Sequence, residues 1–221
     1  EHDIANMTKI WSDDLKESIQ AKFPEDQQTN LYAKYKNAFS VSYVNKFDAR
    51  RGAIDIDRIE ECLEKDSALF NLYKSSNLLP EEVSELKIYN PEKELILSEM
   101  MPILESFGFN IIQEYTYAVS PEKQNNGKGG KKVWIHYFHL NLDKSGEKLS
   151  AKIKNNFEKL ISLTWNGSSN TGPLNKLIVS SDLNWKQIYI LSAYTKYIYQ
   201  AGFRYSQSYI ADVLVKYSDI T

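Results

Sequence analysis

The stretch Ser84-Glu85-Leu86-Lys87-Ile88-Tyr89 sets Leu86 and Ile88 against Glu85, Lys87 and Tyr89. A period of two is the mark of a half-buried strand. Downstream, a helix is expected from Ser98, with Leu97 and Pro102 as a hydrophobic staple. Met101, Leu104 and Phe107 would face inward, and Gly108 suits the position just past the helix. Strands are predicted at Phe109–Val119 and Lys132–Leu142, and a second helix from about Leu149 to Leu163. The order strand–helix–strand–strand–helix is most of a ferredoxin-like βαββαβ unit, lacking its last strand. Leu69-Phe70-Asn71-Leu72-Tyr73 also reads as a strand. Joined through Asn77–Pro80, it would lie antiparallel beside Ser84–Tyr89, where the missing strand belongs.

Helices flank this unit. Residues 7–66 read as helical, with Ser12 as a cap and Trp11, Leu15, Ile19 and Phe23 on one stripe. Pro24 ends that helix and opens the next, where Leu31, Tyr35 and Phe39 share a face. Asp48 caps a later helix carrying Ile56, Ile59 and Leu63. Beyond the turn-rich loop Trp165–Gly172, Pro173 opens a short helix with Leu174, Leu177 and Ile178. Asn184 and Gln187 form a capping box for a helix ending at Gly202, and Ser206 caps the last one. The fold class is therefore α+β: an antiparallel sheet with two helices, between N-terminal and C-terminal helical segments. The segments are 1–66, 67–165 and 166–221.

Composition excludes several classes. With 27 basic against 29 acidic side chains the net charge is −2, so no electrostatic drive toward nucleic acid or an anionic membrane exists. No run of about 18 apolar residues is present to span a bilayer. The chain starts Glu1-His2-Asp3, with neither Met nor a basic leader, and reads as an internal cut or a processed start. The single Cys62 forms no internal disulfide and fits a cytoplasmic location.

Three stretches resemble the large bacterial NAD-dependent glutamate dehydrogenases. The most specific is Trp165–Leu177, followed by Leu183-Asn184-Trp185-Lys186-Gln187, Leu191–Tyr197, Gln200-Ala201-Gly202-Phe203 and Ser206–Ile210. The second is Leu86–Pro91 with Leu97-Ser98 and Pro102–Gly108; the third is Val133–Phe138. The first helices are similar less specifically. In two places the chain departs from that pattern: Ser168–Thr171 replace acidic residues, and Tyr137 stands where aspartate is expected.

The resemblance implies that the ferredoxin-like unit is an ACT-type module ahead of a catalytic domain. In the full-length enzyme that domain would use NAD to convert glutamate to 2-oxoglutarate and ammonia. The family's Gly-rich substrate stretch, reactive lysines and dinucleotide fold lie further along, so this chain is expected to hold no catalytic, cofactor-binding or metal residue. Its expected partners are the catalytic domain of the same chain, further copies in a homo-oligomer, and an amino-acid effector. ACT-type modules often take an amino acid where the first strand meets its helix. Here that place holds Asn90, Glu92, Lys93 and Ser98. A spacer or assembly role is preferred for this copy, since nothing marks a pocket. The alternative to an enzyme segment is a free-standing amino-acid sensor or a structural interaction module.

Other features favour plain structural readings. Gly127-Lys128-Gly129-Gly130-Lys131-Lys132 matches neither the P-loop nor GxGxxG spacing and precedes a strand, so a solvated hairpin loop is expected. His136 and His139 stand three apart on a strand and face opposite sides, which is no metal pair. Cys62, beside Leu63, reads as a buried small residue. The tyrosines from Tyr189 to Tyr209 are expected to pack between helices rather than stack on bases.

Overall fold

The computed structural model describes residues 2–73, 83–122, 130–142, 151–169 and 171–218. Helices α1 (His2–Lys22), α2 (Glu25–Tyr35), α3 (Val41–Lys46) and α4 (Ala49–Lys65) come first. Strands β1 (Leu69–Tyr73) and β2 (Val83–Pro91) lead to α5 (Leu97–Ser106), β3 (Phe109–Val119), β4 (Val133–Leu142) and α6 (Ala151–Trp165). A 3-10 turn at Pro173–Lys176 precedes α7 (Leu177–Ser180), α8 (Trp185–Gln200) and α9 (Gln207–Lys216). The four strands form one antiparallel sheet in the order β1-β2-β4-β3. β1 thus takes the edge beside β2 that the sequence assigned to it, and the fold class is α+β.

The chain divides into two compact units. The first holds Glu1–Leu69, Ile88–Glu94 and Tyr115–His136; the second holds Phe70–Lys87, Leu95–Glu114 and Tyr137–Thr221. In the first unit the expected stripe is real: Leu15 and Ile19 are fully buried and Trp11 nearly so. It packs α1 onto α4 at Gly52, where a Cβ would come 2.9 Å from the Trp11 ring. The indole is pinned by its own Nε1–H donating to Phe47 O at 2.9 Å. Around it Trp11, Phe39, Tyr43, Phe47 and Tyr117 pack at centroid distances of 4.6–6.2 Å, several edge to face. Such pairs add to burial because ring edges and faces carry opposite partial charge. In the second unit Phe157 of α6 meets Phe107 and Phe109 edge-on at 5.0 and 5.2 Å.

Several local expectations change. Ser12 is not a cap: α1 already runs from His2, and the Ser12 hydroxyl instead pairs with Tyr32 Oη at 3.2 Å. The residues before it contain no breaker, so the helix propagates past a residue that only permits a start. α5 begins at Leu97, with Ile96 as a cap lacking a side-chain bond. Ser98 is therefore its second residue and Pro102 lies beyond the first turn, which removes the expected staple. Met100, Ile103, Leu104 and Phe107 are buried and Met101 is exposed. Steps of three residues drift around a helix, whereas the 100, 103, 104, 107 set follows its true period.

The strand that set the fold is also buried more completely than its alternation implied. Every residue from Val83 to Tyr89 is buried. Alternation in sequence predicted one exposed face, but here Glu85, Lys87 and Tyr89 are buried as well. Within the first unit, α4 reaches Tyr89: its Cys62 Sγ donates to Tyr89 O at 3.4 Å. Within the second, Lys87 Nζ lies 5.6 Å from the centre of the Tyr137 ring. The caps at Asp48, Asn184 and Ser206 form as read, each accepting from a backbone N–H of the first turn. The Asn77–Pro80 connection, residues 123–129 of the lysine–glycine loop and the expected start of α6 at Leu149 lie outside the described residues.

Candidate functional site

The residues proposed for an effector fall at the end of β2 and in α5. Asn90, Glu92 and Lys93 share one tight turn in the first unit. Asn90 Nδ2 donates to Lys93 O at 2.7 Å, and Lys93 N–H donates to Pro91 O at 2.7 Å. Glu92 adopts a left-handed backbone with φ 61°, and its N–H donates to Lys132 O at 2.7 Å. This conformation is unusual for a residue with a side chain and is held here by the surrounding bonds. Lys131 bridges Asp66 at 3.1 Å and Glu92 at 3.5 Å. The hydrogen bond to Asp66, then the charges of Asp66 and Glu92, hold the Lys131 ammonium above its usual pKa. Ser98 lies in the second unit, exposed on the first turn of α5. The Asn90 amide is thus spent on the turn itself, while Ser98 is exposed.

The most organised polar chemistry is buried in the first unit. Asp55 of α4 is fully buried and accepts from two phenols, Tyr43 Oη and Tyr89 Oη, the latter at 2.8 Å. Its signal in the sequence was faint: Asp55 falls on the Gly52, Ile56, Ile59 stripe, a polar residue at an apolar position. Nearby, Tyr35 Oη donates to Glu60, which also takes Lys34 Nζ at 2.7 Å. Burial first, and then the Glu60 charge, push the Tyr35 phenol far above its usual pKa. Cys62 is pushed up to about 12 by burial, then by Asp66 and Glu61, which keeps its thiol protonated and unreactive. These groups satisfy one another, and the arrangement is that of a polar core.

The remaining candidates separate in the same way. His136 is buried with Nδ1 3.3 Å from Thr116 Oγ1, and His139 lies edge-on to Tyr137 at 4.9 Å. Among the described residues no group of three or more His, Cys, Asp or Glu is placed to hold a metal ion. Among the described residues, the turn from β2 to α5 carries no glycine. A shallow open groove of about 390 Å³ lies over Tyr115 and Tyr117, beside Lys46, whose Nζ sits 5.0 Å from the Tyr115 ring centre. In the C-terminal helices the tyrosines are not packed between helices as expected. Tyr189, Tyr194, Tyr197, Tyr199, Tyr205 and Tyr209 are all exposed. Helical spacing alone cannot tell a face turned to a neighbouring helix from one turned outward.

These features define a class: an antiparallel α+β module set between helical segments. Comparison with known proteins makes it specific. Residues 18–62, 68–153 and 170–221 match, in chain order, the family models for glutamate dehydrogenase helical motif 2, the ACT3 domain and helical motif 3. The whole chain is similar to the NAD-specific glutamate dehydrogenases of Halomonas elongata, at 29% identity, and Pseudomonas aeruginosa, at 25%. It is also 27% identical to that of Mycobacterium tuberculosis over 96% of its length. It spans 13% of the length of each of these relatives. The three models together cover most of the chain, which belongs to the glutamate dehydrogenase family as the segment carrying these two helical motifs and the ACT-type domain between them. Among the described residues no helix is long and apolar enough to cross a membrane.

Proposed function

We propose that this chain is a non-catalytic segment of a large glutamate dehydrogenase, and that it organises the assembly of that enzyme and relays regulation to it. The catalytic domain elsewhere in the same polypeptide would bind NAD and convert glutamate to 2-oxoglutarate and ammonia in the cytoplasm. The observation that carries this reading is the ordered match of three family segments across a chain spanning 13% of its relatives. The chemistry of the described residues supports it: the buried carboxylate, phenols and thiol hold one another in place. The working division is 1–66 and 166–221 as helical segments around 67–165 as the ACT-type module, with homo-oligomers formed by the full polypeptide.

The test of the parent activity is direct: the full polypeptide should reduce NAD when glutamate is supplied. A preparation that is folded and silent would remove the reading. The residues to test for an amino-acid effector are Asn90, Glu92, Lys93 and Ser98, in the stretch of chain from the end of β2 to the first turn of α5. Titration calorimetry with the common amino acids decides this. Heat that disappears in Ser98→Ala, with the fold intact, supports the loop; silence from every amino acid leaves the module as a spacer.

A further inference from the structure

α8 is apolar on two sides. Ile188 and Thr195 are buried, on the side where α8 meets α6, α7 and α9. On the other side Ile190, Tyr194, Tyr197 and Ile198 are 53%, 62%, 69% and 40% exposed. Their spacing of four, seven and eight residues from Ile190 makes one continuous stripe along the helix. A helix that is hydrophobic all round is one whose second face is also covered. A contiguous exposed stripe of this kind marks an interaction surface, unlike apolar residues scattered singly.

The two charged side chains of α8, Lys186 and Lys196, are both basic, and the sign of the C-terminal helices as a whole selects the occupant. From Trp185 to Tyr217 the chain carries Lys186, Lys196, Arg204 and Lys216 against a single acid, Asp212. In a two-fold dimer the patch would meet its own copy, setting basic residues against basic residues. A partner with an apolar centre and an acidic rim is favoured instead. The relatives are far longer than this chain, which spans 13% of them, so most of such a polypeptide is available as a tethered partner. Tethering raises the effective concentration to about the millimolar range, enough for a modest patch rich in tyrosine to be occupied. Contacts between domains of one chain are also typically more polar than obligate interfaces, which suits tyrosine over leucine.

We infer that the outward face of α8, centred on Tyr194 and Tyr197, is the docking surface for another region of the same polypeptide, one presenting an apolar patch rimmed by acidic side chains. This rests on the proposal that the chain is one segment of a longer dehydrogenase. The experiment is tyrosine nitration with tetranitromethane, read by peptide mass spectrometry, on the 221-residue chain and on the full polypeptide. Tyr194 and Tyr197 should nitrate about ten-fold more slowly in the full polypeptide, as for a surface closed roughly nine-tenths of the time. Lys196→Glu in the full polypeptide should restore much of the lost reactivity. Equal rates in the two proteins would overturn the inference. So would protection in the short chain that grows with its concentration, which would assign the stripe to a second copy. A full polypeptide that is active on glutamate with both tyrosines reactive rejects the docking surface alone. One that is inactive with both protected rejects the dehydrogenase reading alone.

Discussion

Asp55 has no exposed surface, yet Tyr43 and Tyr89 both donate to its carboxylate. Removing that acceptor would take from two buried phenols the carboxylate to which both donate. Asp55→Ala is therefore expected to lower unfolding stability by about 2–5 kcal/mol, read as a shift in the urea midpoint. A shift within error would show that water reaches the site. Tyr35 supplies a pH test. Its folded pKa lies above its ordinary value of 10.0, chiefly through burial and then Glu60. The neutral phenol's contribution is complete below about pH 10 and is lost as pH rises toward the folded value, by up to about 1.4 kcal/mol per pH unit. Stability should thus fall more steeply above that pH in the parent than in Tyr35→Phe, and parallel curves would refute the assignment. Neither group was legible as such in the sequence. Asp55 and Tyr43 are 12 residues apart and Tyr89 is 34 residues beyond Asp55, with only the three-dimensional fold joining them. Cys62, by contrast, was readable because its neighbours Ile59 and Leu63 already mark the apolar side of α4.

At the level of elements, α1 and α4 meet at Gly52. Alanine there would normally favour a helix by about 1 kcal/mol. The new methyl group would come 2.9 Å from a Trp11 ring that its bond to Phe47 O prevents from retreating. Gly52→Ala is accordingly expected to destabilise by about 1–3 kcal/mol in thermal or urea unfolding, overpacking outweighing propensity. A stabilised variant would mean that the helices separate freely. The capping box on α8 makes a second case, because Asn184 accepts from Lys186 N and Gln187 N while Gln187 Oε1 accepts from Asn184 N. Asn184→Ala should cost about 1 kcal/mol, seen as faster hydrogen exchange in the first turn of α8; unchanged exchange would contradict it. Caps at Asp48, Asn184 and Ser206 were legible because a short polar side chain in front of a periodic apolar run has few other uses. Ser12 and Ser98 misled for the complementary reason: a residue able to start a helix does not compel one to start.

For the whole molecule, the order β1-β2-β4-β3 follows from one reading, that Leu69–Tyr73 is a strand able to fill the edge beside Ser84–Tyr89. The C-terminal tyrosines were not legible in this way, since a helix facing an absent neighbour has the same sequence pattern as one facing a present neighbour. Nor was the covering of Lys87, which lies against Tyr137 fifty residues further along the chain. The same distance between pattern and partner bears on function. The three matched segments place the chain in its family, whereas the role proposed for it depends on the longer polypeptide of its relatives. The most direct measurement is therefore made on the isolated 221-residue chain, folded and supplied with glutamate and NAD. No glutamate-dependent NADH formation is expected under conditions in which the full polypeptide turns over. Sustained turnover by the isolated chain would contradict it.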